Sequence, residues 1–436
     1  MLVGSTTFLF GGGSPASLLI PFAICAGLVA IYRPWKDPST TPGLDACLVA
    51  VAIAMTLQLV PMPARLIDTL SPSARAAWQQ LHLTDIRGAL PISVDLWSTA
   101  WAIWVYAMTL AVFLVARLVF AYGGVRIASR GIALVGLFLS AECLIQRATG
   151  MRMMYGRWKP AFDVAPPFGP FVNRNHFATW AILAIPICVG YLLAHGTAHG
   201  AHRESERWQR TVVRFMDGRS IWLVVSICLM LIALALCLSR AGWAGLAVGL
   251  IVGFGLMRRE RLSFGWALAA TCAVAAAGAV LAAPLDLVQR MTSVGTAATG
   301  RLDIWRATLP VVGDFWVTGT GAGTFETVML VYQRVPSLFR INAAHNHYLQ
   351  IAAEGGLLVG IPAGLSLVLF ARRAWDALRD DNSTMYLLRL GAFSGLVAAA
   401  TQSIWETGLT TPANAFLAAL SAAIVLHQPV PSGLAR

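Results

Sequence analysis

Charged residues are scarce in this sequence. They make up only 12% of its 436 residues, whereas about a quarter of the residues in a soluble domain are charged. Hydrophobic residues account for 57% of the chain, and the mean hydropathy is +0.68. A composition this apolar excludes an ordinary soluble domain and indicates an integral membrane protein.

Lysine is nearly absent, since Lys36 and Lys159 are the only two. Arginine therefore supplies almost all of the positive charge behind the net charge of +12. Arginine suits bidentate phosphate binding, although a GC-rich genome produces the same bias. The arginines occur in short clusters between apolar segments and form no single basic stripe, which favours membrane topology over nucleic-acid binding.

Metal-binding spacing is also lacking. The seven cysteines all lie in apolar segments, as small buried hydrophobic residues do. His195, His199 and His202 stand in a charged loop, where such spacing is more often solvated than metal-binding. No pair of carboxylates stands out in the loops, which argues against a metal site and against a retaining hydrolase-like mechanism. We therefore expect no metal and no cofactor.

Apolar runs with the length of a membrane-spanning helix, about 17 to 25 residues, recur along the chain. Eleven of them lie at about 15–32, 44–60, 96–116, 131–146, 177–194, 221–239, 241–257, 263–283, 348–370, 388–405 and 413–427. Arginine clusters alternate between successive loops, as the positive-inside rule requires. This alternation leaves the C-terminus in the cytoplasm and places outside the loops near 61–95, 147–176, 284–347 and 406–412.

The sequence thus predicts an all-α fold, a polytopic transmembrane bundle of about 11–12 helices. Residues 1–283 hold transmembrane helices 1 to 8, residues 284–347 form one large outer loop with short helices, and residues 348–436 hold helices 9 to 11 and the C-terminus. Loops as long as 284–347 are usually functional or disordered.

Two segments of this loop have recognisable patterns. Residues 299–306 predict a short amphipathic helix at the membrane interface, and they contain Arg301 and Arg306. The glycine-rich residues 319–325 lack the βαβ context of a dinucleotide site. They form either a tight turn or a loop whose backbone amides are exposed to a phosphate.

Histidine and arginine at the outer helix ends are the candidates for chemistry. The large loop closes on His345, Asn346 and His347, and a histidine there can act as a general base near neutral pH. Arg240 lies between two apolar runs. An ionisable group at the membrane is a functional hypothesis by default, with snorkelling to the interface as the alternative.

A further candidate segment precedes the apolar run at 177–194. Its residues Asn173, Arg174 and His176 have side chains that bind sugar hydroxyls and phosphate. The same residues would also suit a helix cap and an interface anchor.

Taken together, these segments resemble the O-antigen ligase and Wzy-type polymerase superfamily of bacterial envelope glycan assembly. The resemblance covers about residues 165–425. It is carried by the order and spacing of Asn173–Ala178, Ser239–Gly242, 300–306, 319–325, His345–Gln350 and Glu354–Leu357. The eleven predicted helices are one fewer than the twelve usual in that superfamily.

The resemblance implies a metal-independent, inverting glycosyltransferase of the bacterial inner membrane with a periplasmic active face. Its partners would be an undecaprenyl-pyrophosphate-linked glycan donor, a glycan, lipid or protein acceptor, and membrane lipids. Arg240 and Arg301 look like the arginines that hold the donor's pyrophosphate, and His345 looks like the histidine beside the acceptor. The resemblance also implies a substrate-binding set of Arg306, His347, Asn346, Arg174, His176 and Asn173.

Two alternatives remain open at this stage. A Wzy-type polymerase would join lipid-linked repeats, whereas a ligase would transfer a finished glycan to another acceptor. A lipid or polysaccharide transporter would also use arginines, but transporters usually place charge near the membrane midplane and show repeat symmetry. No repeat is visible here and the charge gathers in one outer loop, which favours an enzyme.

Overall fold

The structure is a computed structural model, and it describes residues 1–36, 41–82, 88–158, 167–198, 218–257, 294–333 and 340–428. Within these ranges all regular elements are helical and no strand forms. The predicted all-α fold is therefore confirmed. The apolar run at 263–283, together with His199, His202 and Lys159, lies outside the described residues.

The helices in chain order are α1 (Leu2–Phe8), α2 (Pro15–Tyr32), α3 (Pro42–Leu57), α4 (Ala64–Leu70), α5 (Pro72–His82), α6 (Leu96–Ala121), α7 (Val125–Ala148), α8 (Arg174–Ala198), α9 (Gly218–Leu236), α10 (Arg240–Leu256), α11 (Val294–Asp314), α12 (Phe325–Tyr332), α13 (His347–Asp380), α14 (Met385–Gln402) and α15 (Pro412–Leu426). Each apolar run predicted within the described residues overlaps one of these helices.

Five of these helices are long and apolar enough to cross a membrane, namely α2, α6, α7, α8 and α13. Helices α3, α9, α10 and α15 are apolar but shorter. The chain is therefore a polytopic helical membrane protein.

Small residues let the central helices approach closely. Helix α8 packs along α14, where Gly190 and Gly391 face each other's backbones. A Cβ atom on Gly391 would lie 2.2 Å from the Pro186 carbonyl oxygen. A Cβ on Gly249 of α10 would likewise lie 2.4 Å from the Ser394 carbonyl oxygen of α14. Such contacts between small residues are the usual way in which membrane helices associate.

These contacts place the start of α8, the start of α10 and the end of α14 together at one end of the bundle, called here the site end. The opposite end is held by a buried ion pair in which both guanidinium NH groups of Arg117 bind Asp45 at 2.8 Å. A second pair joins Arg389 to Asp381 at 2.9 Å. Both pairs join helices at the end remote from the candidate residues.

A layer of short helices covers the site end. Its apolar core joins α4 and α5 to α11 and α12, through buried side chains that include Ile67, Trp78, Phe315 and Phe325. We call these four helices the loop layer. The described parts of the loops near 61–95 and 284–347 therefore pack as one unit, and the short helix predicted at 299–306 is part of the longer α11.

Candidate functional site

The buried carboxylate of Glu406 is the centre of a polar cluster at the site end. Glu406 lies in the connection between α14 and α15, and its side chain is 1% exposed. Its Oε1 accepts hydrogen bonds from Arg301 and, at 2.7 Å, from the amide of Asn175. Its Oε2 lies 3.4 Å from Nδ1 of His345. Three segments that are remote in sequence therefore meet on one carboxylate.

In this cluster the negative charge is buried, and the arginine and histidine side chains are partly exposed. A buried carboxylate is costly unless it is paired and hydrogen-bonded, and Arg301 and Asn175 satisfy that requirement for Glu406. The side chains of Arg301 and His345 remain 31% and 30% exposed. The cation and the imidazole therefore face the opening, with the carboxylate behind them.

The backbone at His345 is fixed in an uncommon conformation. Its φ angle of +48° lies in the left-handed region, which few non-glycine residues adopt. The next residue, Asn346, caps α13, because its Oδ1 accepts the backbone N–H of Leu349 at 3.0 Å. The turn at His345 thus directs the imidazole towards Glu406 immediately before the helix begins.

Neighbouring elements hold this turn from both sides. Trp305 of α11 donates its indole N–H to the carbonyl of Ala344 at 3.0 Å. The backbone N–H of His347 donates to the carbonyl of Ser403 at 2.8 Å. Both contacts fix the backbone around His345, so the ring position depends on α11 and α14 as well as on its own loop.

The segment at the start of α8 serves as a cap and also reaches the cluster. Oδ1 of Asn173 accepts the backbone N–H of Asn175 at 2.9 Å, which caps α8. Asn175, which sequence analysis did not single out, supplies the side chain that reaches Glu406. Arg174 is half-buried beside them.

His176 anchors the start of α8 to α15. Its Nδ1 lies 2.8 Å from the hydroxyl of Thr411, and its carbonyl accepts the Asn414 side-chain amide at 3.0 Å. These contacts hold the start of α8 against the start of α15, next to the Glu406 cluster.

Arg240 and Arg306 lie outside the cluster. Arg240 begins α10 at the site end, is exposed, and has no hydrogen bond or ion pair with other described residues. Ser239 caps this helix by accepting the backbone N–H of Gly242 at 3.3 Å. Arg306 is 74% exposed and pairs with Asp303 at 3.2 Å. Among the described residues Arg240 therefore has no partner at the site end, and Arg306 belongs to the outer surface of α11.

The glycine-rich turn binds a carboxylate of the protein itself. The backbone N–H groups of Gly323 and Phe325 donate to the side chain of Glu354 at 2.8 and 3.2 Å. The N–H of Ala322 donates to the side chain of Gln58 at 3.0 Å. Because these amides are occupied, the structure supports the tight-turn interpretation of residues 319–325 over an exposed phosphate loop.

Close packing against α13 explains the glycines in this turn. Gly319 has a φ angle of +68°, and a Cβ atom there would lie 2.1 Å from the Glu354 carbonyl oxygen. The facing Gly356 has a φ angle of +53° and interrupts α13. The kink frees the N–H groups of Leu357 and Leu358, which donate to α11–α12 loop carbonyls at 2.8 and 2.9 Å.

A cavity of about 720 Å³ lies beside the cluster. Its lining comes from α3, α6, α13, α15 and the glycine-rich turn, and most of it is apolar. His347, Gln350 and Glu354 line it near the start of α13. The buried Nδ1 of His347 makes no hydrogen bond within the part of the chain that the structure describes. In those residues no group of three or more His, Cys, Asp and Glu side chains is arranged to hold a metal ion.

Sequence analysis missed Glu406, although a usable signal was present. Glu406 is an ionisable residue between the apolar runs at 388–405 and 413–427. The argument that singled out Arg240, an ionisable group at a membrane helix end, applies equally to Glu406.

Comparison of the sequence with known families gives a match. Residues 225–364 match the sequence model of a family described as O-antigen ligase (Wzy_C). The matched range contains Arg240, Arg301 and His345. Comparison with curated proteins gives no match to this chain. Residues 225–364 are therefore similar to the O-antigen ligase family, which supports the resemblance to the O-antigen ligase and Wzy-type superfamily.

Proposed function

We propose that the chain is a membrane glycosyltransferase that moves a glycan from an undecaprenyl-pyrophosphate donor to an acceptor hydroxyl on the periplasmic face. The observation that carries this proposal is that Glu406 binds both Arg301 and His345. A cation for the leaving phosphate and an imidazole for the acceptor proton then lie on opposite oxygens of one buried carboxylate.

Glu406 sets the proton on the His345 ring. A carboxylate facing Nδ1 favours the tautomer in which Nδ1 carries the hydrogen, so Nε2 keeps its lone pair. In the reaction, Nε2 takes the proton of the acceptor hydroxyl while the hydroxyl oxygen bonds to the anomeric carbon. The bond from that carbon to the pyrophosphate oxygen breaks in the same displacement, which inverts the anomeric centre.

Arg301 stabilises the charge that builds on the departing pyrophosphate. A guanidinium has five N–H donors in a planar fork, and the contact with Glu406 leaves the others of Arg301 available for phosphate oxygens. Because that charge grows in the transition state, a fixed cation there accelerates the reaction more than it strengthens substrate binding. Arg240, an exposed cation at the same end, is the second arginine assigned to the pyrophosphate.

The remaining candidate residues are assigned to structural, donor-side or acceptor-side roles. We assign Asn173, Asn346 and His176 to holding the site in shape, since each already caps or anchors a helix. We assign Arg174 and Arg306 to contacts with the glycan donor. His347, which lines the cavity, is assigned to the acceptor side.

The reaction is tested with the purified full chain in lipid nanodiscs, supplied with undecaprenyl-pyrophosphate-linked repeat units. Product size is measured with and without an acceptor such as lipid A core, and the His345→Ala variant is the control. A single shift that needs the acceptor supports ligation, and a ladder without it supports the Wzy-type polymerase. No product under either condition, with competent repeat units, would contradict transfer and favour a transporter.

A further inference from the structure

Arg240 and the apolar cavity lie on different sides of Glu406. Helix α10, which begins at Arg240, packs against α8 and α14. The cavity lies between α3, α6, α13 and α15, and α10 contributes no residue to its described lining. Glu406 stands in the α14–α15 connection between these two regions. A reaction centred on Glu406 and His345 can therefore be approached from two directions.

The cavity does not suit an anionic head group. No arginine or lysine occurs among its described lining residues, whereas Glu354 does. A phosphate bound there would find no compensating cation among these residues, and burying a charge without a partner is unfavourable. Gln350, His347 and Glu354 instead offer donors and acceptors of the kind that bind hydroxyl groups.

One of these polar groups is unsatisfied. Nδ1 of His347 is buried without a hydrogen-bond partner in the described structure, and burying such a group unpaired is unfavourable. It belongs to a side chain that lines the cavity, two residues after His345. A hydroxyl-bearing head group bound there would satisfy it and would bring its hydroxyls close to His345.

The apolar part of the cavity has the dimension of a lipid chain. Beyond the kink at Gly356, its lining on α13 runs from Val359 to Phe370, which is about 17 Å of helix at 1.5 Å per residue. The chain of one lipid spans one leaflet, about half of the roughly 30 Å hydrocarbon core of a bilayer. Leu367 lines the far part of the cavity and is 63% exposed, so this part is open at its side.

We propose that this cavity binds the hydrophobic anchor of the acceptor, with an uncharged, hydroxyl-bearing sugar head at His347, Gln350 and Glu354. The donor pyrophosphate approaches from the side of Arg240. The term acceptor rests on the proposed function, but the binding of a sugar-headed lipid in this cavity does not depend on transfer.

Photolabelling tests the binding directly. The full chain in nanodiscs is exposed to a long-chain alkyl glycoside with a diazirine in its chain, and in parallel to the alkyl phosphate with the same chain. The glycoside should label peptides of α13 and α15, and the phosphate should label them far less. Equal or stronger labelling of these peptides by the phosphate would overturn the proposal.

Cavity-filling variants give the matched comparison. Ala363 of α13 and Ala418 of α15 both line the cavity, so Ala363→Trp and Ala418→Trp should each lower glycoside labelling about tenfold, the effect of losing roughly two buried methylene groups. Ala371→Trp is the control, because Ala371 is exposed on α13 and does not line the cavity. Labelling that survives both cavity variants would contradict the assignment.

Kinetics separate this proposal from the proposed function. Ala363→Trp should raise the KM for the acceptor about tenfold and leave the KM for the donor unchanged. A rise in the KM for the donor would show that the donor lipid occupies the cavity. If no variant or wild-type protein transfers glycan but the glycoside still labels the cavity, the proposed function fails while the lipid site stands.

Discussion

The carboxylate of Glu406 faces the imidazole of His345 across 3.4 Å, although the two residues are 61 positions apart in the chain. The distance is at the long end of the hydrogen-bond range, and catalytic hydrogen bonds often shorten only when substrate is bound. This pair assigns a partner to the histidine and gives the buried Glu406 a role beyond stability. It is the relationship on which most of the following tests depend.

Replacing Glu406 by glutamine should lower kcat about 100-fold, because the imidazole loses the charged partner that orients it. The KM for both substrates should change little, since the side-chain volume is kept. Glu406→Asp should recover part of the rate. Steady-state transfer assays measure this split, and an unchanged kcat in Glu406→Gln would remove Glu406 from the mechanism.

Arg301→Ala and Arg240→Ala should both abolish measurable transfer, but only the first should destabilise the fold. Removing Arg301 leaves the buried Glu406 short of its cation, at a cost of about 2 kcal/mol, discounted because Arg301 is 31% exposed. Arg240 has no partner among the described residues to lose. Thermal unfolding followed by tryptophan fluorescence compares the two variants.

The double variant Arg301→Ala with Glu406→Gln provides the control for that comparison. It removes the unpaired charge, so it should recover stability without recovering transfer. Arg301→Lys and Arg240→Lys should recover transfer only in part, because lysine keeps the charge but loses the bidentate fork. Full activity in either lysine variant would contradict the pyrophosphate assignment.

The two histidines should behave differently when each is replaced by alanine. His345→Ala removes the proposed base and should lower kcat about 1000-fold, with membrane insertion intact. His347→Ala should mainly raise the KM for the acceptor, because this side chain lines the cavity. Equal loss of kcat in the two variants would show that neither has the separate role assigned to it.

Gly319→Ala should destabilise the protein by at least about 2 kcal/mol, because the new methyl group meets the Glu354 carbonyl and the φ angle is positive. Gly313 in α11 is the matched control, since a Cβ atom there meets nothing within 4 Å. Gly313→Ala should be neutral or stabilising by up to about 1 kcal/mol. Thermal unfolding of both variants distinguishes these outcomes, and equal melting temperatures would contradict the tight-turn account.

The helices could be predicted from the sequence because their cause is local. An apolar run of membrane-spanning length has few alternatives to a helix in lipid, since every backbone polar group must be satisfied within the segment. The runs at 15–32 and 177–194 are examples, and each overlaps one helix. The sequence also offered helix capping as an alternative role for Asn173. Capping is local too, because it is a hydrogen bond between Asn173 and its own helix.

The composition of the cluster could not be predicted in the same way, because contacts between remote segments depend on how helices pack. Asn175 and Glu406 are 231 residues apart, and Arg301 and Glu406 are 105 apart. Sequence analysis chose Asn173 as a substrate contact, whereas Asn175 is the residue that reaches Glu406. The glycine-rich turn showed the same limit, since its amides could be seen to be occupied only once Glu354 was placed beside them.

The sequence by itself determined that this is a helical membrane protein, and it indicated the family through short segments whose order and spacing carry the resemblance. Tertiary structure alone decided which of the candidate side chains meet. The physical reason is the cost of burying a charge: Glu406 can lie inside the bundle only where Arg301 and Asn175 are brought to it. Close packing of glycine-containing helices is what brings the start of α8 beside it.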